Sequence, residues 1–163
     1  MSRIQLIKNE ITIVKAQTNK LIKDIPDEQW VFTPEIMNTN LNWQIGHIFL
    51  ANYLHGIASI TGPSEIIRNS VNIKEYIQYY GLDSNPKEHL ENKPTTSALL
   101  EVFNISYDLI FKGMDELTEE DLNQTTAIPN PAVNTKYEAL MWLFKHQSWH
   151  NGQIAMLSRV LNA

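Results

Sequence analysis

The sequence predicts an all-α fold, a four-helix bundle with a long crossover between its second and third helices. Four segments carry apolar residues at alternating steps of three and four, the spacing that places them along one side of an α-helix. No segment shows the apolar-polar alternation of a half-buried strand. Roughly thirty residues separate the second segment from the third, which is long enough for a chain that crosses the end of a bundle. We expect one domain over residues 1–163.

The first two helices are predicted from their apolar stripes and their end signals. The first ends before Pro26, and the second begins after Asn40 as N-cap and stops at Gly62 and Pro63. The first stripe consists of Ile4, Ile7, Ile11, Val14, Thr18, Leu21 and Ile25. The second consists of Trp43, His47, Leu50, Leu54 and Ile57.

The last two helices are predicted in the same way. The third starts near Thr95 or Thr96, and the fourth opens with a capping box formed by Thr135 and Glu138. The third stripe consists of Leu100, Phe103, Tyr107, Ile110, Met114 and Leu117. The fourth consists of Leu143, His146, His150, Gln153, Leu157 and Val160.

The connections contain some structure of their own. Trp30 and Phe32, between the first two helices, are expected to pack down as a cap on the bundle. Short helical pieces are predicted at 64–69 and 73–80, followed by an irregular stretch over 81–94.

The composition excludes several classes of function. Apolar residues make up 43% of the 163 residues, charged residues 19%, and the formal net charge is −5. Because Lys and Arg form no long run, nucleic acid and anionic membranes are not expected as partners. No apolar run is long enough to span a bilayer, and the N-terminus resembles a helix more than a signal peptide, so we expect a cytoplasmic protein. The chain has no cysteine, which excludes disulfides, thiolate metal sites and a cysteine nucleophile.

Six polar side chains interrupt the apolar stripes and have to be accounted for. A buried polar group without a partner costs about 1–3 kcal/mol, so we expect these groups to satisfy one another, or to bind water or a metal. They are Thr18, His47, Tyr107, His146, His150 and Gln153.

The three histidines among them predict a mononuclear metal site. His146 and His150 lie one turn apart on one side of a helix, and His47 occupies the stripe of another helix. Three imidazoles leave coordination positions open for water or substrate. The alternative is structural: the histidines hydrogen-bond one another and bind no metal. The H-E-x-x-H motif of metalloproteases and the Glu-x-x-His pairs of di-iron bundles are both absent.

Other polar and aromatic residues receive weaker assignments. Thr18 is expected to hydrogen-bond the carbonyl one turn earlier in its own helix. His55 and His89 are interpreted as surface or loop residues. Trp142 and Trp149 are expected to pack the bundle or an oligomer interface, with the wall of a substrate pocket as the alternative.

The sequence resembles the DinB/YfiT-like superfamily at two motifs. Asn42-Trp-Gln-Ile-Gly-His47-Ile is similar to the family's tryptophan-led segment ending in Gly-His, and His146-Gln-Ser-Trp-His150-Asn-Gly-Gln153-Ile is similar to its H-x-x-x-H-x-G-Q signature. Residues 117–122 resemble a third recurring segment. The resemblance implies a four-helix bundle, often a homodimer, with His47, His146 and His150 as ligands of one divalent metal ion. Nickel or zinc is favoured, with iron and copper as alternatives.

The resemblance also implies a class of reaction, because some relatives transfer low-molecular-weight thiols. We therefore expect a metal-dependent S-transferase acting on small electrophiles, or a related hydrolase, with metal-activated thiol or water as the nucleophile. The sulfur would come from a cosubstrate, since the chain has no cysteine. Tyr107 or Gln153 is predicted to orient the nucleophile as a catalytic residue. The alternative is a non-catalytic bundle that binds a metal or a small ligand in a stress response.

Overall fold

The computed structural model describes residues 1–162, which form six helices without a strand. Among these residues, the one β pairing is an isolated antiparallel bridge between Thr125 and Thr135. The helices are α1 (Arg3–Ile22), α2 (Leu41–Ala51 continued by Asn52–Ala58 and Ser59–Thr61), α3 (Glu65–Ser70), α4 (Ile73–Tyr80), α5 (Thr96–Asp115) and α6 (Lys136–Leu161). The predicted all-α fold is confirmed.

The helix ends follow the predicted capping signals closely. The Asn40 side chain accepts a hydrogen bond from the Trp43 backbone N–H, and Thr135 and Glu138 form the predicted capping box. At the end of α2, Gly62 adopts a φ of 93°, which a residue with a side chain rarely tolerates. Such signals are local, so they can be found from the sequence.

A seven-residue π-helical segment, Asn52–Ala58, widens α2 in its second half. The sequence did not predict it, because no propensity rule identifies a π-helix. Gly56 lies in this segment, and a Cβ atom there would be 2.6 Å from the side chain of Ile110 on α5. The wider turn therefore packs directly against the neighbouring helix. Segments of this kind often occur at functional sites.

The four long helices pack around one apolar core. α1 lies against α6, while α2 lies between α5 and α6, and α4 in the long connection folds back onto α2. The predicted stripes of α1 and α5 are confirmed at their centres, where Ile7, Ile11, Phe103 and Ile110 are at most 1% exposed. This packing brings α2 and α6 side by side, which is the arrangement that the histidines require.

The predicted core stripe of α2 was wrong in its orientation, and that of α6 was confirmed only in part, at Leu143 and Leu157. On α2 the fully buried apolar face is formed by Leu41, Ile45, Ile48 and Phe49, whereas the predicted stripe from Trp43 to Leu54 is only partly buried. On α6, Gln153 and Val160 are exposed and the core face passes through Leu140, Leu143, Ile154 and Leu157. The stripes that carry the histidines face a cavity instead. Periodicity cannot distinguish the side of a helix that faces the core from the side that faces this cavity, because apolar residues line both.

The predicted cap between α1 and α2 is half right. Trp30 is 2% exposed and its indole Nε1–H donates to the Ile25 carbonyl at 3.3 Å, but Phe32 is 56% exposed. Within residues 1–162 no helix has the length and apolar character needed to cross a membrane.

Candidate metal centre

Three imidazoles converge between α2 and α6. The Nε2 atom of His146 lies 3.3 Å from Nε2 of His47 and 3.2 Å from Nε2 of His150. One nitrogen from each ring falls within 4.8 Å of the other two, so this group could hold a metal ion. His150 is 7% exposed, and the other two rings are partly buried. The structure brings together all three predicted ligands.

Local helix geometry accounts for the position of each ring. His146 and His150 are one turn apart on α6, so their side chains project in the same direction. His47 meets them from α2, where Trp43 one turn earlier stacks on its ring with centroids 4.7 Å apart and planes 10° apart. The Trp43 indole N–H donates to Ser84 Oγ at 2.8 Å. Trp43 is thus held by its stack on His47 and by its hydrogen bond to Ser84, and it restricts the rotation of the His47 ring.

The Nδ1 atoms of two rings are bound to carbonyl oxygens. His47 Nδ1 lies 2.7 Å from the backbone oxygen of Tyr80, and His150 Nδ1 lies 2.5 Å from Oε1 of Gln44. Carbonyl oxygens only accept hydrogen bonds, so both Nδ1 atoms carry the proton. The Nε2 atoms of these neutral rings therefore present lone pairs to the centre, as metal-binding histidines do.

Gln44 supports this site and was not predicted from the sequence. It is fully buried, and its Nε2 amide donates to Thr39 Oγ1 at 2.9 Å and to Gln153 Oε1 at 2.7 Å. Both amide hydrogens are used, which leaves Oε1 to accept from His150. A signal was present, since Gln44 precedes His47 by three residues and therefore lies on the same side of α2.

Burial keeps all three histidines neutral. It lowers the pKa of His150 to about 3 and of His146 to about 4, with further lowering from the neighbouring histidines. The pKa of His47 is also lowered by burial, although its hydrogen bond to the Tyr80 carbonyl works in the opposite direction. Near pH 7 the rings are thus in the form that binds metals.

The donor set fits a single divalent ion. Ligand nitrogens at 2.0–2.1 Å from a tetrahedral zinc ion are separated by about 3.3 Å, close to the two Nε2 separations observed. Without a cation, His146 Nε2–H could donate to Nε2 of only one of the other two histidines. The lone pair of the remaining Nε2 would then face the centre without a partner. The buried Nδ1 of His146 has no hydrogen-bond partner within residues 1–162. A metal ion would satisfy the three lone pairs together.

The three rings lie on the wall of a cavity of about 630 Å³. Apart from the histidines, Gly81 and Gln153, its lining is apolar: Trp43, Leu50, Ala51, Leu54, Leu82, Pro131, Trp142 and Trp149. Trp142 and Trp149 both line this cavity, as the alternative interpretation of these residues requires, and their contact with a substrate stays a prediction. The size and lining suit a small molecule with an apolar body.

Tyr107 is not brought to this cavity. Its side chain is fully buried, and its hydroxyl donates to Gln147 Oε1. The Gln147 amide donates in turn to Thr18 Oγ1 at 2.7 Å. The Thr18 hydroxyl lies 3.0 Å from the Val14 carbonyl, its predicted acceptor, and 2.6 Å from Asn151 Oδ1 on α6. Burial raises the pKa of Tyr107. The tyrosine belongs to a polar network at the junction of α1, α5 and α6.

Gln153 lies beside the centre and contacts it through Gln44. It lines the cavity, and its Oε1 accepts the hydrogen bond from the Gln44 amide. Gln153 and Gln44 thus form a chain that ends at His150 Nδ1. Gln153 thus supports His150 indirectly, through Gln44, and its predicted role in orienting the nucleophile stays a prediction.

The interpretation of His55 as a surface or loop residue was wrong. His55 is 6% exposed, lies in the π-helical segment of α2 and lines the same cavity as the three clustered histidines. The wider π-helical turn, which the sequence does not reveal, changes the direction of residues after Ala51. His89 is exposed, as predicted.

Fold and site together define an all-α protein with a group of three histidines that could hold a metal ion. The profile of the DinB superfamily matches residues 10–154 of the sequence. The chain therefore belongs to the DinB superfamily. A comparison with curated proteins found no match.

A solved structure shows the same fold. It is described as the crystal structure of the conserved protein of locus from Enterococcus faecalis. The two chains superpose with a TM-score of 0.75 at 15% identity, over 99% of this chain and 98% of the other. At this identity the likeness concerns the fold alone.

Proposed function

We propose that this protein is a mononuclear metal-dependent enzyme that acts on a small molecule held in the cavity between α2 and α6. The observation that carries the proposal is the convergence of three Nε2 lone pairs on the wall of an apolar cavity. Two of the rings are held in the required tautomer by Tyr80 and Gln44. A histidine cluster with a purely structural role needs neither an adjoining cavity nor lone pairs that face one another.

His47, His146 and His150 would hold the ion, and nickel or zinc suits three imidazoles. A divalent metal bound there supplies a positive charge that lowers the pKa of a water or thiol beside it, so that a nucleophile is available near neutral pH. The residues of the chain would orient the ligands and line the cavity with apolar surface. Trp43 restricts the His47 ring, Gln44 fixes the His150 ring, and the tryptophans of the cavity shield the reacting groups.

The finer proposal is S-transfer to a small electrophile. The sulfur of a low-molecular-weight thiol forms a bond to the electrophilic carbon, the bond to the leaving group breaks, and the thiol proton is released with that group. The sulfur belongs to the cosubstrate because the chain has no cysteine. Gln153, which lies on the cavity wall beside His150, is the proposed positioning residue for the bound nucleophile.

Elemental analysis and a thiol-transfer assay test this proposal. Untagged protein is expected to contain one nickel or zinc ion per chain and to form thioethers from a fluorogenic electrophile with glutathione, bacillithiol or mycothiol. His150→Ala should lose both metal and activity, whereas His89→Ala, at an exposed position, should keep both. Full activity in His150→Ala protein without metal would refute the metal mechanism.

Two other outcomes are informative. Stoichiometric metal without turnover on any thiol or ester would support the non-catalytic metal-binding alternative. Negligible metal that cannot be restored would support the structural alternative. The homodimer that the family resemblance implies is also a proposal, and sedimentation velocity measures it directly.

A further inference from the structure

His55 is a fourth histidine of the cavity and does not belong to the three-ring cluster. It lies in the π-helical segment of α2, next to Trp142, with ring centroids 6.2 Å apart. It is nearly buried, yet it lines the cavity. A polar group in an apolar cavity wall needs a partner on the protein side, on the cavity side, or on both.

Donor and acceptor can be assigned for each hydrogen bond that connects His55 to Asn130 and Ser59. The Ala132 backbone N–H donates to Asn130 at 2.9 Å, which identifies that side-chain atom as the oxygen, Oδ1. The Asn130 nitrogen, Nδ2, lies 2.9 Å from Ser59 Oγ and 2.9 Å from His55 Nδ1. The Ser59 hydroxyl uses its own hydrogen on the Leu54 carbonyl at 2.7 Å, so it accepts from Asn130.

The tautomer of His55 follows from this direction. An amide nitrogen only donates, so Asn130 gives one hydrogen to Ser59 and the other to His55 Nδ1. Nδ1 of His55 is therefore an acceptor, and the single proton of the neutral ring is on Nε2. Burial lowers the pKa of His55 to about 4, which keeps the ring neutral near pH 7. No residue within 1–162 forms a hydrogen bond with Nε2.

The cavity therefore carries two kinds of histidine. His47 and His150 present lone pairs toward the cluster, whereas the ring of His55 carries an N–H that the protein leaves unused. We propose that the Nε2–H of His55 donates a hydrogen bond to a carbonyl or carboxylate oxygen of the ligand and so positions its apolar body in the cavity. This hydrogen bond rests on the proposed function in one respect, that the ligand binds in this cavity. The tautomer of His55 requires neither metal nor turnover.

Nitrogen-15 NMR of the histidine rings tests the tautomer in the protein as purified. We expect His55 to be neutral at about pH 7, with a proton-bearing Nε2 and a Nδ1 shift typical of an unprotonated acceptor. His55→Phe identifies the resonance. A proton on Nδ1, or a charged ring at this pH, would overturn the assignment whether or not the protein binds a metal.

A matched pair of probes tests the hydrogen bond. Acetophenone carries a carbonyl oxygen on an aromatic ring, and ethylbenzene has nearly the same shape without the acceptor. Acetophenone should bind at millimolar concentration and shift the His55 resonance. In His55→Phe its affinity should fall about threefold to tenfold, as expected for one hydrogen bond, while that of ethylbenzene stays the same.

Conservative and distant variants separate positioning from folding. His55→Gln retains an N–H donor and should recover part of the lost affinity, and His89→Phe should bind both probes like the unmodified protein. An equal loss for both probes in His55→Phe, or no loss for acetophenone, would overturn the hydrogen bond. Failure of acetophenone to bind the unmodified protein would overturn the proposed ligand class. Neither result would change the elemental analysis, which tests the metal centre separately.

Discussion

The aromatic ring of Tyr80 lies so close to the backbone of Gly46 that a Cβ atom there would be 2.3–2.6 Å from three of its carbons. Gly46 directly precedes His47, and the backbone oxygen of Tyr80 holds the Nδ1 atom of that histidine. Tyr80 is fully buried, and its hydroxyl donates to Asn42 Oδ1 at 2.9 Å, so the ring cannot easily move away. The glycine of the Gly-His motif thus lets α4 approach α2 and fix the first histidine.

Gly46→Ala is expected to destabilise the protein and to weaken metal binding. The added methyl group must displace the Tyr80 ring, and overpacking of this kind costs about 1–3 kcal/mol. Gly152→Ala is the matched control, because no atom lies within 4 Å of a Cβ at that helical position. The control should be neutral or stabilise by about 0.5–1 kcal/mol through helix propensity. Urea denaturation measures both variants, and equal midpoints would contradict the close-approach argument.

Gln44→Leu is expected to lower metal affinity by about tenfold to a hundredfold, the usual effect of removing a group that supports a histidine ligand. The substitution removes the Oε1 acceptor that holds His150 Nδ1. Gln44→Glu retains an acceptor at this position and should keep more of the affinity. Competition with a chromophoric chelator gives the two dissociation constants. Metal binding by Gln44→Leu as tight as in the unmodified protein would show that the hydrogen bond does not support the ligand.

Tyr107→Phe distinguishes a structural from a catalytic role of the hydroxyl. Its removal leaves the buried Oε1 of Gln147 without this donor, so we expect a loss of about 1–3 kcal/mol in the free energy of unfolding. Because Tyr107 does not line the cavity, metal content and thiol-transfer rate should not change. A folded, metal-loaded variant without activity would instead support the catalytic role predicted from the sequence.

The stability of the metal-free protein should fall as the pH is lowered from about 7 toward 4. The pKa values of His55 and His146 are lowered to about 4 in the folded state, below the value of about 6.5 in an unfolded chain. Between these values the unfolded chain binds more protons, so acid favours unfolding. Thermal denaturation at several pH values measures the slope. His146→Gln should reduce it, and a melting temperature independent of pH in this range would refute the lowered pKa values.

Bound metal should stabilise the folded protein against acid until the pH is low enough for protons to displace the metal from the histidines. A divalent ion binds the folded, deprotonated histidines and raises the melting temperature by mass action. A chelator should therefore lower the melting temperature near pH 7 and have less effect near pH 5. The same chelator should leave His150→Ala unchanged.

Features that depend on a few neighbouring residues could be predicted from the sequence alone. The caps at Asn40 and Thr135, the end of α2 at Gly62 and the apolar stripes of α1 and α5 all follow from local periodicity and capping chemistry. His146 and His150 share one side of a helix because of the helical repeat. The third predicted ligand, His47, was assigned from its place in a second apolar stripe and from the resemblance to the superfamily.

Tertiary packing decided the features that combine distant segments. Only the contact of α2 with α6 shows that Gln44 binds His150, and only the folded structure shows that His55, in the π-helical segment, lines the cavity. Tyr107 occupied a core stripe as predicted, but its hydroxyl direction depends on Gln147 from another helix. The sequence by itself determined the helices and the three histidines, because both follow from local spacing. Which side of each helix faces the core, and which faces the cavity, was decided by the tertiary structure, because apolar side chains line both surfaces.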